Sequence, residues 1–199
     1  MEDELLHLLF SVCFLIFLFE RGYFQSKAMK TSGELAKYKT KKWSLVLLIT
    51  ILIIAQIWVL GSFIFIINPM FLNWSSFYSP LWIRWIGVIL TVLGICIEFS
   101  TQLYLGRNYS TLLHIREEQS LITTGPYRYI RHPMYVALIT VGIGMTFLSA
   151  NWYFGLPFIA VIVVIFFRIK KEEEVMIDKF GEEYIHYMKR TKRFIPFLI

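Results

Sequence analysis

The chain has 199 residues; 57% are hydrophobic and 18% aromatic, only 17% are charged, and the mean hydropathy is +0.59. Soluble domains run nearer ~25% charged, so this composition excludes a water-soluble globule, a disordered chain and a small disulfide scaffold. A net charge of +6, from 20 Lys+Arg against 14 Asp+Glu, would suit nucleic acid, but the basic residues are distributed as in a membrane protein.

A bilayer's hydrocarbon core takes about 20 apolar residues as a helix. The first apolar stretch, residues 5–19, is short and follows Met1-Glu2-Asp3-Glu4. That start is acidic where a signal peptide is basic, and no small-x-small cleavage site follows, so a permanent helix is expected. Residues 20–42 read as a Lys-rich loop. Residues 43–67 carry no charge and form the surest span. Residues 81–105 form another, interrupted by Arg84 and Glu98, and residues 134–148 a short one. The last span covers residues 152–169, with Pro157 near its start. The reading is an all-α polytopic membrane protein of about five transmembrane helices.

Charge sets the orientation through the positive-inside rule. Residues 1–19, 68–80 and 149–153 hold no Lys or Arg, whereas 21–42 hold seven, 106–132 four, and the tail from Arg168 eight. Only Arg84 lies near the other face. The N-terminus is therefore expected outside and the C-terminus in the cytoplasm. Cys13 and Cys96 both fall in predicted spans, which leaves neither a disulfide framework nor a metal site.

Three polar features on the cytoplasmic side carry candidate chemistry. Residues 125–135, Gly-Pro-Tyr-Arg-Tyr-Ile-Arg-His-Pro-Met-Tyr, combine a Gly-Pro turn with His132-Pro133 opening a helix. The free N–H groups of such a helix start suit an anion. Arg168 and Glu172 are four apart, one turn apart on one face of a helix that runs on to Gly181. Residues 180–188 read as a short amphipathic helix with Tyr184, Tyr187 and Met188 on one face, which either lies on the membrane or roofs a pocket. Within the third span, Glu98 and Gln102 form an i,i+4 polar pair, equally suited to a functional role or to snorkelling. Gln56 reads as an interhelical hydrogen bonder. Gly142-x-Gly144 sits in an apolar helix and suits close packing.

Four segments together resemble the isoprenylcysteine carboxyl methyltransferase family, in particular its short, five-span prokaryotic-type members. They are Leu105-Gly106-Arg107-Asn108-Tyr109-Ser110, residues 121–127, Arg131-His132-Pro133-Met134-Tyr135, and Glu172-Glu173 leading to Phe180-Gly181-Glu182-Glu183-Tyr184. The resemblance covers about 105–197; the first two spans match in hydrophobic character. It implies one integral membrane domain over 1–199, with three spans in 1–104 and a cofactor-binding catalytic half in 105–199. That half would form a cytosolic pocket for S-adenosylmethionine beside a lipid-linked carboxylate substrate. Carried over residue by residue, the cofactor would meet Gln119, Ser120, Leu121, Ile122, Tyr127, His132, Pro133, Met134, Tyr135 and Glu172. Arg168 would be the catalytic, substrate-binding arginine. Gln119 and Ala137 depart from the family pattern, which often has His and Gly there.

The implied chemistry agrees with the residue inventory. Methyl transfer from a sulfonium is an in-line displacement, and a carboxylate is already ionised at neutral pH. Neither a general base nor a metal is required, so alignment and desolvation carry the catalysis. The implied partners are a lipid-linked substrate and membrane lipids, without nucleic acid or metal. The location would be the endoplasmic reticulum in a eukaryote and the cell membrane in a prokaryote. Related forms of Arg-His-Pro-x-Tyr occur in phospholipid methyltransferases and sterol reductases. A lipid amine or thiol methyltransferase, an NADPH-dependent reductase and a non-enzymatic scaffold are thus the competing readings.

Overall fold

The computed structural model describes residues 1–31, 42–106 and 120–194. They form six α-helices: α1 (Glu2–Thr31), α2 (Lys42–Ile67), α3 (Leu81–Leu105), α4 (Pro133–Ser149), α5 (Leu156–Phe180) and α6 (Glu182–Arg190). Short 3₁₀ turns at Pro69–Ser75, Gly125–Arg128 and Trp152–Phe154 join them, and the described residues contain no strand beyond two isolated bridges.

Four segments are long and apolar enough to cross a bilayer: Glu2–Lys27, Ile49–Ile67, Leu81–Leu105 and Trp152–Phe180. α4 has 17 residues, about 26 Å at 1.5 Å per residue, which is short of a ~30 Å hydrocarbon core. The first helix departs most from expectation. Its 15-residue apolar run is the middle of a 30-residue helix, because Glu20-Arg21-Gly22-Tyr23-Phe24 continues the turn instead of ending it. Arg21 and Lys27 therefore belong to α1 rather than to a loop, while residues 32–41 of the expected loop lie outside the described residues.

Two kinds of contact hold the bundle. Lipid tails are as apolar as leucine, so helices associate in a membrane by close packing and polar contacts rather than by hydrophobic exclusion. α3 and α4 approach through glycine: a Cβ on Gly144 would lie 2.5 Å from Thr91 N, and one on Gly87 2.3 Å from Leu148 N. Aromatic rings tie the other helices. Phe10 meets Phe65 at 4.7 Å and Phe154 at 4.8 Å, and Trp58 meets Phe158 at 5.6 Å between ring centroids.

The two ends of the bundle are closed differently. At one, Arg84 pairs with Asp3 and donates from Nε to the Leu148 carbonyl at 3.1 Å, while Asn151 Nδ2 donates to Leu72 O at 2.9 Å. At the other, the segment before α4 pairs with the segment after α6: Arg131 N–H donates to Lys192 O at 2.8 Å and His132 N–H to Arg193 O at 3.1 Å. α5 stops at Gly181, whose φ of 52° is costly for a residue with a Cβ, and α6 turns back from it.

Candidate active site

The second end is built around one carboxylate. Glu173, buried on α5, accepts from Arg131 Nε at 3.0 Å and from Arg193 Nη2 at 2.5 Å, and lies 3.5 Å from His132 Nε2. Arg131 also donates from Nη1 to the carbonyls of Met188, at 3.1 Å, and Thr191. Three segments distant in sequence, the start of α4, the middle of α5 and the chain after α6, are thereby fixed to one another. Buried guanidinium–carboxylate pairs contribute more to register than to net stability. Here they determine where His132 and Pro133 start α4.

Beside this knot lies a cavity of about 510 Å³, within the ~300–1,000 Å³ range of small-molecule sites. One face of α5 runs its length, through Pro157, Phe158, Val161, Ile165, Arg168, Glu172 and Met176. Those 19 residue steps correspond to about 28 Å. The lower part is apolar and is completed by α1 (Phe17, Leu18) and by α2 (Ile51 to Val59). The upper part is polar. Tyr135 on α4 donates from its hydroxyl to Glu172 Oε2 at 2.7 Å, and Arg168 stands against the same phenol. His132 stacks on Tyr135 with centroids 5.6 Å apart and planes 25° from parallel.

α6 forms the roof. Tyr184 and Tyr187 are buried and line the cavity, and Tyr187 donates from its hydroxyl to Tyr127 O at 2.6 Å. Burial pushes the Tyr187 phenol up to about 12 and raises that of Tyr184, to which the Glu173 charge adds. Both therefore remain neutral donors at physiological pH. Glu173 in turn raises the Arg193 guanidinium through its hydrogen bonds.

Most of the expected site residues come together here. Ser120, Leu121, Ile122, Tyr127, His132, Met134, Tyr135, Arg168 and Glu172 all line the cavity. Pro133 is buried at the first position of α4 and shapes the backbone rather than the wall. Gln119 lies outside the described residues. Arg168 and Glu172 face the cavity, and α6 roofs it rather than resting on the membrane alone. The walls also extend beyond the C-terminal half, since α1 and α2 supply the apolar side. Gln56 faces the cavity from α2.

Sequence reasoning missed Arg21 and the role of Glu173. Arg21 lines the cavity and donates from Nη1 to Glu98 Oε1 at 2.5 Å, and Glu98 is fully buried, not snorkelling. The signal was present: an acid inside a span needs a partner, and Arg21 ends the first apolar run. Among the described residues, no group of three or more His, Cys, Asp or Glu is placed to hold a metal ion.

Residues 86–178 match the model of the isoprenylcysteine carboxyl methyltransferase (ICMT) family. The human protein-S-isoprenylcysteine O-methyltransferase is 31% identical over 129 residues, which cover 63% of this chain and 45% of that protein. The Arabidopsis thaliana protein-S-isoprenylcysteine O-methyltransferase B is 31% identical over 121 residues, covering 59% and 61%. The chain thus spans about half the length of the curated relatives it matches. In fold it is similar to a solved eukaryotic intramembrane Ras methyltransferase, isoprenylcysteine carboxyl methyltransferase. The TM-score is 0.54 at 23% identity, over 75% of this chain and 52% of that one. Family model, curated relatives and fold all point to the isoprenylcysteine carboxyl methyltransferase family, and residues 86–178 carry the match.

Proposed function

We propose that this protein is an S-adenosylmethionine-dependent methyltransferase that esterifies the carboxylate of a lipid-linked, isoprenylcysteine-like acceptor at the membrane–cytosol interface. The observation that carries this reading is the two-part cavity: one α5 face has an arginine–glutamate–tyrosine set at its polar end and aliphatic and aromatic walls below. A lipid chain suits the lower part, and an acidic head suits Arg168 above it. The curated relatives' names support the acceptor class.

The residues present also fit the cofactor. Glu172 offers acceptor oxygens in a wall of Tyr127, Tyr135, Tyr184 and Tyr187, and a carboxylate among aromatic faces is suited to a cationic, hydrogen-bonding ligand. When bound, S-adenosylmethionine would supply an electrophilic methyl group. Ser120, Leu121, Ile122 and Met134 would complete its pocket, and Gln119 stands next to them in sequence. Tyr135 orients Glu172 through its 2.7 Å hydrogen bond. Arg168 holds the acceptor carboxylate, and α6 keeps water away from it. The catalytic half is residues 105–199, with 1–104 supplying lipid-facing spans. The basic loops and the tail lie in the cytoplasm and the N-terminus outside, in the endoplasmic reticulum or a prokaryotic cell membrane.

The test uses the protein in lipid with methyl-labelled S-adenosylmethionine and S-farnesylcysteine. Label released as methanol in mild base establishes a methyl ester. Base-stable label transfers the assignment to nitrogen or sulfur methylation, and absence of S-adenosylmethionine binding removes the reading altogether.

A further inference from the structure

α1 brings a second guanidinium to the cavity, from outside the family-matched segment. Arg21 lines the wall, and Gln25, one turn on, lines it too. The aromatic contacts set the level. Phe10 packs on Phe154, just before α5, and Phe17 reaches Phe158 of α5 through Trp58 of α2, so α1 and α5 run in the same direction with α2 linking them. Equal steps along both place Arg21 within about two turns of Arg168 along the helix axes. Arginines from α1 and α5 thus approach one chamber at similar depth.

Arg21 is not held there by solvent. Its Nη1 is 2.5 Å from Glu98 Oε1, and Glu98 has no exposed surface. Glu98 Oε2, Glu20 Oε1 next to Arg21 in the chain, and Gln102 Oε1 one turn from Glu98 are buried with no hydrogen-bond partner. A wall rich in acceptors keeps a guanidinium in place, and leaving Glu98 buried without that cation is costly. A planar fork of five N–H groups is enough to grip Glu98 and a ligand carboxylate at once.

We propose that Arg21, positioned by Glu98, is a second carboxylate-binding residue of this cavity. The inference rests on the function proposed above, under which two carboxylates enter the chamber: that of the acceptor and that of the amino-acid end of S-adenosylmethionine. Glu98 acts through Arg21 as a positioning residue.

Direct binding measurements separate these sources. Wild type, Arg21→Met, Glu98→Gln and the double variant are titrated in lipid nanodiscs, once with S-adenosylhomocysteine, which keeps the cofactor's carboxylate, and once with S-farnesylcysteine. Arg21→Met is expected to weaken one ligand roughly 10- to 100-fold, the span of a charge-assisted hydrogen bond. Glu98→Gln is expected to weaken the same ligand by a smaller factor. Loss confined to S-adenosylhomocysteine assigns Arg21 to the cofactor, and loss confined to S-farnesylcysteine assigns it to the acceptor. The double variant is decisive, because removing both partners leaves no unpaired buried charge and keeps the helices packed. If Arg21 only neutralises Glu98, the double variant binds both ligands as wild type does, and the proposal is overturned. Persistent weakening in the double variant sustains it. A wild type that binds neither ligand overturns the proposed function, and this inference with it.

Discussion

Arg168 and Tyr135 show how little a residue's type says before its neighbours are known. As a sequence pair, Arg168 and Glu172 are an ordinary i,i+4 combination whose worth on an exposed helix is a few tenths of a kcal/mol. In the structure, Glu172 is oriented by Tyr135 from another helix, and Arg168 lies against the same phenol. Arg168→Ala is expected to lower kcat/KM for a prenylcysteine acceptor by about 100-fold or more. Cofactor affinity, read by calorimetry, should change less than about threefold. Unchanged turnover would remove Arg168 from the substrate contact. His132 was legible as the residue before a helix-starting proline. Its stacking on Tyr135 lies within one turn of the same helix start, but its approach to Glu173 was not legible, because that carboxylate comes from α5, about 40 residues on.

At the scale of elements, the contrast is between α3–α4 and the α4–α5–tail knot. Close approach of α3 and α4 was readable in part from the Gly142-x-Gly144 pair, of which Gly142 meets Phe158 of α5 and Gly144 meets α3. Its partner Gly87 became visible only once the helices were placed. Gly144→Leu would press a side chain against the Thr91 backbone. Overpacking of this kind costs about 1–3 kcal/mol or more, seen as a lower melting temperature in detergent. The knot fails differently. Glu173→Gln leaves Arg131 buried opposite a neutral amide, a loss of about 3 kcal/mol. Because Arg193 is part-exposed, the loss belongs at the low end for a buried pair. Faster proteolysis after α6 is the second expected sign, since the tail is held through Arg193 and the backbone of residues 130–132.

For the whole molecule, the distribution of charge implies a sidedness in the membrane. α1 and α5 start at the end where Arg84 meets Asp3, and α4 starts at the end where Arg131 and Arg193 meet Glu173. In a background with Cys13 and Cys96 replaced by serine, Tyr78→Cys should react with a membrane-impermeant maleimide on intact cells. Lys192→Cys should react only after permeabilisation. The reverse pattern would invert the assigned orientation. The cavity also belongs to this scale, because α1 and α2 supply the apolar walls for a polar end built by residues 120–187.

Sequence by itself determined the class of molecule, the apolar segments, the charge asymmetry and the placing of Arg168 and Glu172 on one helix face. Each follows from local composition or from spacing within one helical turn. The extent of α1 escaped it, because Glu20 and Arg21 look like the end of a span until Glu98 is seen to neutralise Arg21 from α3. Tertiary structure alone decided that α6 roofs the cavity, that Glu173 joins three segments and that α2 contributes a wall. Those outcomes depend on which helix faces meet. In a bilayer, apolar faces satisfied equally by lipid or protein do not announce their partners, so only buried charges and close glycine contacts specify the packing.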